Sequence, residues 1–171
     1  MLRGHKSRVT KVALHPIYSD VASSSEDGTV KIWDFDQGEL THTLKGHTGG
    51  VNYVSYHPNG QTIATCSTDQ TIKLWNYQTK AVFKTLQGHE HEVSSVEFLP
   101  PGGDLLISCS RDQTIKLWDT STGYCLQTLR EGHSDWIRKV SVNAKGTLLA
   151  SASKDQSVIV WSMEKIKGCK D

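Results

Sequence analysis

The sequence has no apolar run approaching the roughly eighteen residues that a membrane-spanning helix requires. Its start, MLRGHKSRVT, has no apolar stretch of the signal-peptide kind, so the chain reads as cytosolic. An excess of one charge is missing too: 19 basic side chains stand against 18 acidic ones, a formal net charge of +1. No global field therefore draws the chain to phosphate backbones or anionic lipid, and neither nucleic acid nor membrane is expected as a partner. Cysteine is too sparse for a disulfide framework, and Cys66, Cys109, Cys125 and Cys169 are read as reduced thiols. No Gly-rich phosphate loop is present, since Gly49-Gly50 and Gly102-Gly103 are isolated pairs in turns. His15, His42, His57 and His91 lack zinc-ligand spacing with cysteine, so no metal or cofactor is expected. What remains, 36% hydrophobic and 22% charged residues, is the composition of a globular domain rather than of a disordered chain.

What is there is a repeat. Gly-His recurs at Gly4-His5, Gly46-His47, Gly88-His89 and Gly132-His133, at spacings of 42, 42 and 44 residues. Trp33, Trp75, Trp118 and Trp161 follow in step, within SSSEDGTVKIWD, TCSTDQTIKLWN, SCSRDQTIKLWD and SASKDQSVIVWS. Each tryptophan has an aspartate six residues before it: Asp27, Asp69, Asp112 and Asp155. Inside one unit the apolar period is two, in strand-length segments rich in Val, Ile, Thr and aromatics and separated by turn residues. In the second unit VNYVSYH, TIATCS, TIKLW and AVFKTL are those segments, with Pro58-Asn59-Gly60 and Thr68-Asp69-Gln70 between them. Four short antiparallel strands per unit follow. One such sheet cannot bury both faces alone, and units of this length that pack face to face around an axis make a propeller. Cys66 and Cys109 fall at one place in successive repeats, where the others put Ser24 and Ala152, which reads as small core filler.

The Gly-His, Asp and Trp-Asp positions resemble those of the WD-repeat family over the whole chain. Trp33-Asp34 and Trp118-Asp119 meet the family's pattern, while Asn76 and Ser162 replace its second letter. The expected fold is all-β: four four-stranded antiparallel blades of an incomplete, open propeller. They are placed at about 4–45, 46–87, 88–131 and 132–171, the last with an incomplete outer strand.

Each repeat also holds the ingredients of an acyl-transfer triad, for example His5, Asp27 and Ser23 or Ser25. A hydrolase needs one such set beside an oxyanion hole, whereas this set occurs once per blade with a tryptophan in register, so repetition argues for architecture. The resemblance implies a buried chain from indole N–H to hydroxyl to histidine to aspartate. Its members here are His5, Asp27, Trp33; His47, Asp69, Trp75; His89, Asp112, Trp118; and His133, Asp155, Trp161. Ser25, Ser67, Ser110 and Ser153, or the residues two before them, supply the hydroxyl, and the sequence does not choose between the two sets. No enzyme is expected.

Partner binding is expected on the rim formed by the loop after Gly-His and the loop before the aspartate. Before the aspartate stand Glu26, Thr68, Arg111 and Lys154; after Gly-His stand Lys6-Ser7-Arg8, Thr48-Gly49-Gly50, Glu90-His91-Glu92 and Ser134-Asp135-Trp136. Trp136 is the tryptophan outside the repeat register, and an aromatic beside Arg138 has the profile of a binding hot spot, the alternative being that it covers a blade junction. GHKSRVTKV, SRDQTIKLWD with TGYC, and GHSDWIRKV resemble the lissencephaly-type dynein regulators, which also serve as the non-catalytic subunit of the platelet-activating-factor acetylhydrolase complex. That resemblance implies dynein motor contacts at Arg111, Trp136 and Arg138, with Arg8, Glu26 and Lys154 on the same rim. Other WD-repeat adaptors, such as ubiquitin-ligase substrate receptors or katanin-type subunits, share every structural motif, and a fragment without independent function is a third reading.

The resembled family has seven repeats after a helical dimerisation motif and coiled coil, whereas four repeats are present here. Met1-Leu2-Arg3 and KIKGCKD read as ends cut mid-unit. A fragment of a seven-blade protein, a chain closing a ring with another chain, and a four-blade closure are ranked in that order. Extra Glu131, and Val142-Asn143-Ala144 in place of the His-Pro turn of His15 and His57, suggest a displaced rim loop in the last blade.

Overall fold

The computed structural model describes residues 1–168, so Cys169 lies outside the described residues. Strands β1 (Val9–Leu14), β2 (Asp20–Ser25), β3 (Thr29–Asp34) and β4 (Glu39–Lys45) form the first antiparallel sheet in that order. The second is β5 (Val51–Tyr56), β6 (Thr62–Ser67), β7 (Ile72–Asn76) and β8 (Val82–Leu86). The third is β9 (Val93–Phe98), β10 (Leu105–Ser110), β11 (Ile115–Asp119) and β12 (Cys125–Leu129).

The fourth sheet departs from the four-stranded expectation. Among the described residues it consists of β13 (Ile137–Val142), β14 (Leu148–Ser153) and β15 (Val158–Ser162), and the chain then turns into helix α1 (Met163–Gly168). MEKIKG has one β-branched residue and several good helix formers, with Glu164 favourably placed in the first turn. Met163 and Ile166, three apart and on one helix face, are buried against Ile107, Ile115, Leu117 and Leu149.

Period-two alternation dictates how the sheets stack. Along β7, Ile72 and Leu74 are buried toward the third sheet among Val93, Val96 and Leu106, whereas Trp75 is buried toward the first among Ile32 and Leu44. The buried clusters thus lie between sheets: first with second, second with third, third with fourth. Innermost strands β1, β5, β9 and β13 neighbour one another in that order, and among the described residues no comparable packing joins β13 back to β1. The sheets form an open arc of propeller blades.

A register shift recurs at one place in each sheet, between the first and third residues of the innermost strand (Val9/Lys11, Val51/Tyr53, Val93/Ser95, Ile137/Lys139). Another precedes the tryptophan in the first three sheets. Bulges at matched sites strengthen the local twist of each blade in the same way. Among the described residues no helix is long and apolar enough to cross a membrane.

Candidate functional site

The rim loops are held by a repeated polar network. In the first blade Trp33 Nε1–H donates to Ser23 Oγ at 2.7 Å, His5 Nε2 lies 2.7 Å from the same oxygen, and His5 Nδ1 lies 2.9 Å from Asp27 Oδ2. The set recurs with Thr65, His47, Asp69 and Trp75, with Ser108, His89, Asp112 and Trp118, and with Ser151, His133, Asp155 and Trp161. An ionised aspartate can only accept, so Nδ1 carries the proton and Nε2 accepts from the hydroxyl, whose oxygen in turn takes the indole N–H.

The hydroxyls are therefore Ser23, Thr65, Ser108 and Ser151, not Ser25, Ser67, Ser110 and Ser153. The reason is reach. Trp33 pairs with Val21 across the sheet, and its indole extends diagonally to Ser23. Ser25 is two residues, about 6.8 Å, further along the strand. The second set works at the loop instead: Ser25 accepts from Asp27 N–H at 3.1 Å and donates to Ser7 O at 3.2 Å. Ser67, Ser110 and Ser153 accept in the same way from Asp69, Asp112 and Asp155.

Sequence reading missed the hydroxyls that hold the other carboxylate oxygen. Thr29, Thr71, Thr114 and Ser157 each donate to the aspartate Oδ1 at 2.6 Å. The signal was present, a Ser or Thr two residues after every repeated aspartate. Between them stand Gly28, Gln70, Gln113 and Gln156, all at positive φ (81°, 69°, 67° and 69°). The backbone N–H groups of Lys6, Thr48, Glu90 and Ser134 complete the carboxylate cage at 2.9–3.0 Å.

Charge follows from this geometry. Burial alone would raise the Asp69 carboxyl, but hydrogen bonds from Thr71 and His47 outweigh it and hold it at about 2. The same balance, burial outweighed by donors, keeps Asp27 and Asp112 below the ordinary carboxylate range. The Ser157 hydroxyl leads in lowering Asp155. His47 and His89 are pushed down by burial, against the pull of their aspartates, so neutral imidazoles sit in the network. Gly-His is explained by the ring beneath it: a Cβ on Gly4, Gly46, Gly88 or Gly132 would lie 3.2, 3.0, 3.3 or 2.9 Å from a tryptophan ring carbon.

The aspartate cage fixes the rim. Glu26, Thr68, Arg111 and Lys154 each donate their backbone N–H to the carbonyl of Arg8, Gly50, Glu92 or Trp136 at 2.8–3.0 Å. Trp136 thus occupies the rim position of Arg8, Gly50 and Glu92, and the last blade's loop is clasped like the others, not displaced. The Trp136 ring is half-buried under three cations: Arg111 Cζ at 4.5 Å from its centroid, Lys154 Nζ at 4.2 Å and Arg138 Cζ at 5.9 Å. Since Arg111 comes from the third sheet, the ring also bridges two blades. Arg8 pairs with Glu26, Arg111 with Glu92 at 3.1 Å, and Lys154 with Asp135 at 3.6 Å. Arg138 is exposed and has no ion-pair partner among the described residues. Arg8, Glu26, Glu92, Arg111 and Arg138 line one open cleft of about 480 Å³ at the centre of the arc. Trp136 and Lys154 stand beside it.

His15 and His57, the histidines of the two His-Pro turns, pack at the turns. His15 Nε2 lies 3.0 Å from Gly60 O, joining the first two blades, and the His57 ring packs edge-on to Phe98. Cys66 and Cys109 are buried, with burial pushing the Cys66 thiol well up and the Cys109 thiol to about 12, while Cys125 is exposed. Among the described residues no group of three or more His, Cys, Asp and Glu side chains is placed to hold a metal ion.

The chain is similar over 43 residues, at 53% identity, to the Lissencephaly-1 homolog of Branchiostoma floridae, a stretch that makes up 25% of this chain. It spans only 11% of the length of that relative. The family described as WD domain, G-beta repeat matches residues 1–34, 38–76, 80–119 and 123–162, each match containing one indole network. Four consecutive matches covering most of the sequence, on four sheets of propeller type, mean that the chain belongs to the WD-repeat family.

Proposed function

We propose that this chain is a non-catalytic scaffold whose rim cleft grips an acidic protein surface, and that the partner is the motor domain of cytoplasmic dynein. WD-repeat proteins bind protein partners, and the rim cluster supports a reading in which they bind there. The observation that carries the reading is Trp136 with Arg111, Lys154 and Arg138 gathered about its ring. A half-buried aromatic is a low-entropy anchor, and planar guanidinium groups match carboxylates bidentately. Arg138, without an ion pair among the described residues, and Arg111, exchanging Glu92 for a partner carboxylate, supply those contacts. The likeness to a Lissencephaly-1 homolog supports dynein as the partner, with a cytoplasmic, cytoskeleton-associated role in microtubule transport. The network hydroxyls support the non-catalytic reading, because Ser108 already accepts from Trp118 and donates to His89, so that hydroxyl is engaged within the blade.

The test is binding of purified dynein motor domain to the chain and to its Arg111→Ala/Arg138→Ala double variant. Loss of binding at least tenfold, with the unfolding midpoint unchanged, is the expected result. Undiminished binding by the variant would remove the rim from the interaction. No binding by either would leave the chain to another class of WD-repeat adaptor.

A further inference from the structure

We infer that Glu92 is an internal competitor of the partner, a rim residue that sets affinity by working against binding. Its carboxylate occupies the Arg111 guanidinium in the free chain and is displaced by the acidic segment that binds. The inference rests on the reading of the rim above, in which Arg111 serves the partner, and assigns Glu92 the opposing role.

The backbone builds the competition. The N–H of each residue before the network aspartate donates to a carbonyl of the facing loop, so that four pairs of positions meet: Arg8 with Glu26, Gly50 with Thr68, Glu92 with Arg111, and Trp136 with Lys154. In the first and third blades the pair carries opposite charges, in opposite order. The third-blade pair is the better built. Arg111 Nε lies 3.1 Å from one carboxylate oxygen of Glu92, and its Nη1 donates to the other at 3.2 Å. In the first blade both donors of Arg8 go to a single oxygen of Glu26. The side chains of Arg111 and Glu92 are 31% and 24% exposed, against 78% and 39% for Arg8 and Glu26, so water screens the third-blade pair less.

A guanidinium fork holds one carboxylate in this way, and Glu92 uses the geometry that an incoming acid needs. The two therefore exclude each other. Glu92 is tethered in the next loop and acts at a high effective concentration, which a partner overcomes by engaging Lys154 and Arg138 at the same time. Placement of Arg111 does not depend on the carboxylate. The Trp136 ring, with its centroid 4.5 Å from the guanidinium carbon, and the backbone bond from Arg111 N–H to Glu92 O at 3.0 Å hold it independently. Loss of the Glu92 charge thus removes the competitor and leaves the cation in position.

The experiment is titration of two probes, a labelled hexaglutamate peptide and the dynein motor domain, with the unaltered chain, Glu92→Gln, Arg111→Ala and the double variant. Unchanged unfolding midpoints check the fold of each. Glu92→Gln is expected to bind about twofold to fivefold more tightly, the range set by freeing one partly exposed ion pair. In the Arg111→Ala background the same substitution is expected to gain almost nothing, because the cation it frees is gone. Unchanged or weaker binding by Glu92→Gln would overturn the inference and make Glu92 a support or a direct contact. An equal gain with and without Arg111 would also overturn it, since that is a general loss of negative charge. A gain with hexaglutamate, while no version binds the motor domain, would uphold the competition and remove dynein as the partner. Binding of neither probe by any version would overturn both.

Discussion

The guanidinium carbon of Arg111 lies 4.5 Å from the centre of the Trp136 indole, although the two belong to successive blades. Arg111 is also tied to Glu92 in its own blade, so the cation is positioned on both sides before any partner arrives. Trp136→Ala is expected to free Arg111, Lys154 and Arg138 together, and Trp136→Phe to keep most of their placement. A weakening of dynein-motor binding that is larger for alanine than for phenylalanine, measured by titration at fixed salt, is the expected outcome. Trp136→Phe should change unfolding free energy by under about 1 kcal/mol, the scale of an exposed cation contact.

Ser108 and Ser110 are two residues apart on one strand and serve different partners. Ser108→Ala leaves the Trp118 N–H and His89 Nε2 unpaired, with an expected loss of about 1–3 kcal/mol in urea unfolding. It should also shift the Trp118 indole proton resonance. Ser110→Ala should leave that resonance in place, because its hydroxyl serves the Asp112 N–H and the His91 carbonyl.

Acid sensitivity follows from the same network, and its sign can be worked out. His47 and His89 have lowered folded values, so their contribution is present above the unfolded value of about 6.5 and is lost as pH falls below it. Asp69 and Asp112 are also lowered, so theirs is present above about 4 and is lost as pH falls toward the folded value. Both terms act in one direction. The melting temperature is expected to be level near pH 7–8, to decline below about 6.5 and to fall more steeply below about 4. In Asp112→Asn the steeper acid limb should flatten.

Gln113 adopts φ 67° in the turn where the first blade has Gly28 at φ 81°. Left-handed backbone strains a side-chain-bearing residue by about 1–2 kcal/mol, and glycine gives back about half of that in unfolded-state entropy. Gln113→Gly is expected to stabilise by about 0.5–1 kcal/mol and Gly28→Gln to destabilise by a similar amount, read by denaturant midpoints.

Thiol labelling separates the cysteines. Cys125, exposed, should react in the native chain, whereas Cys66 and Cys109 should react only on unfolding, at a rate set by that event.

Much of this was legible in the chain because the repeat states it four times. The Gly-His, Asp and Trp spacing and the period-two alternation are local properties, and a strand's alternation dictates which residues it buries. That was enough to give the sheets, the network's histidines, aspartates and tryptophans, and the rim on which Arg8, Glu26, Arg111, Trp136, Arg138 and Lys154 lie. The choice of Ser108 over Ser110 was not legible, since both face one way and only the diagonal reach of an indole across the sheet selects between them. Helix α1 after β15 depended on packing of Met163 and Ile166 against the third sheet, a contact between segments distant in sequence. Clustering of Arg111 with Trp136 was likewise decided by which blade lies beside which. Sequence by itself determined the strands and polar network of each blade, because period-two alternation and the repeat act within one unit; tertiary structure alone decided helix α1 and the cleft, because those rest on contacts between blades.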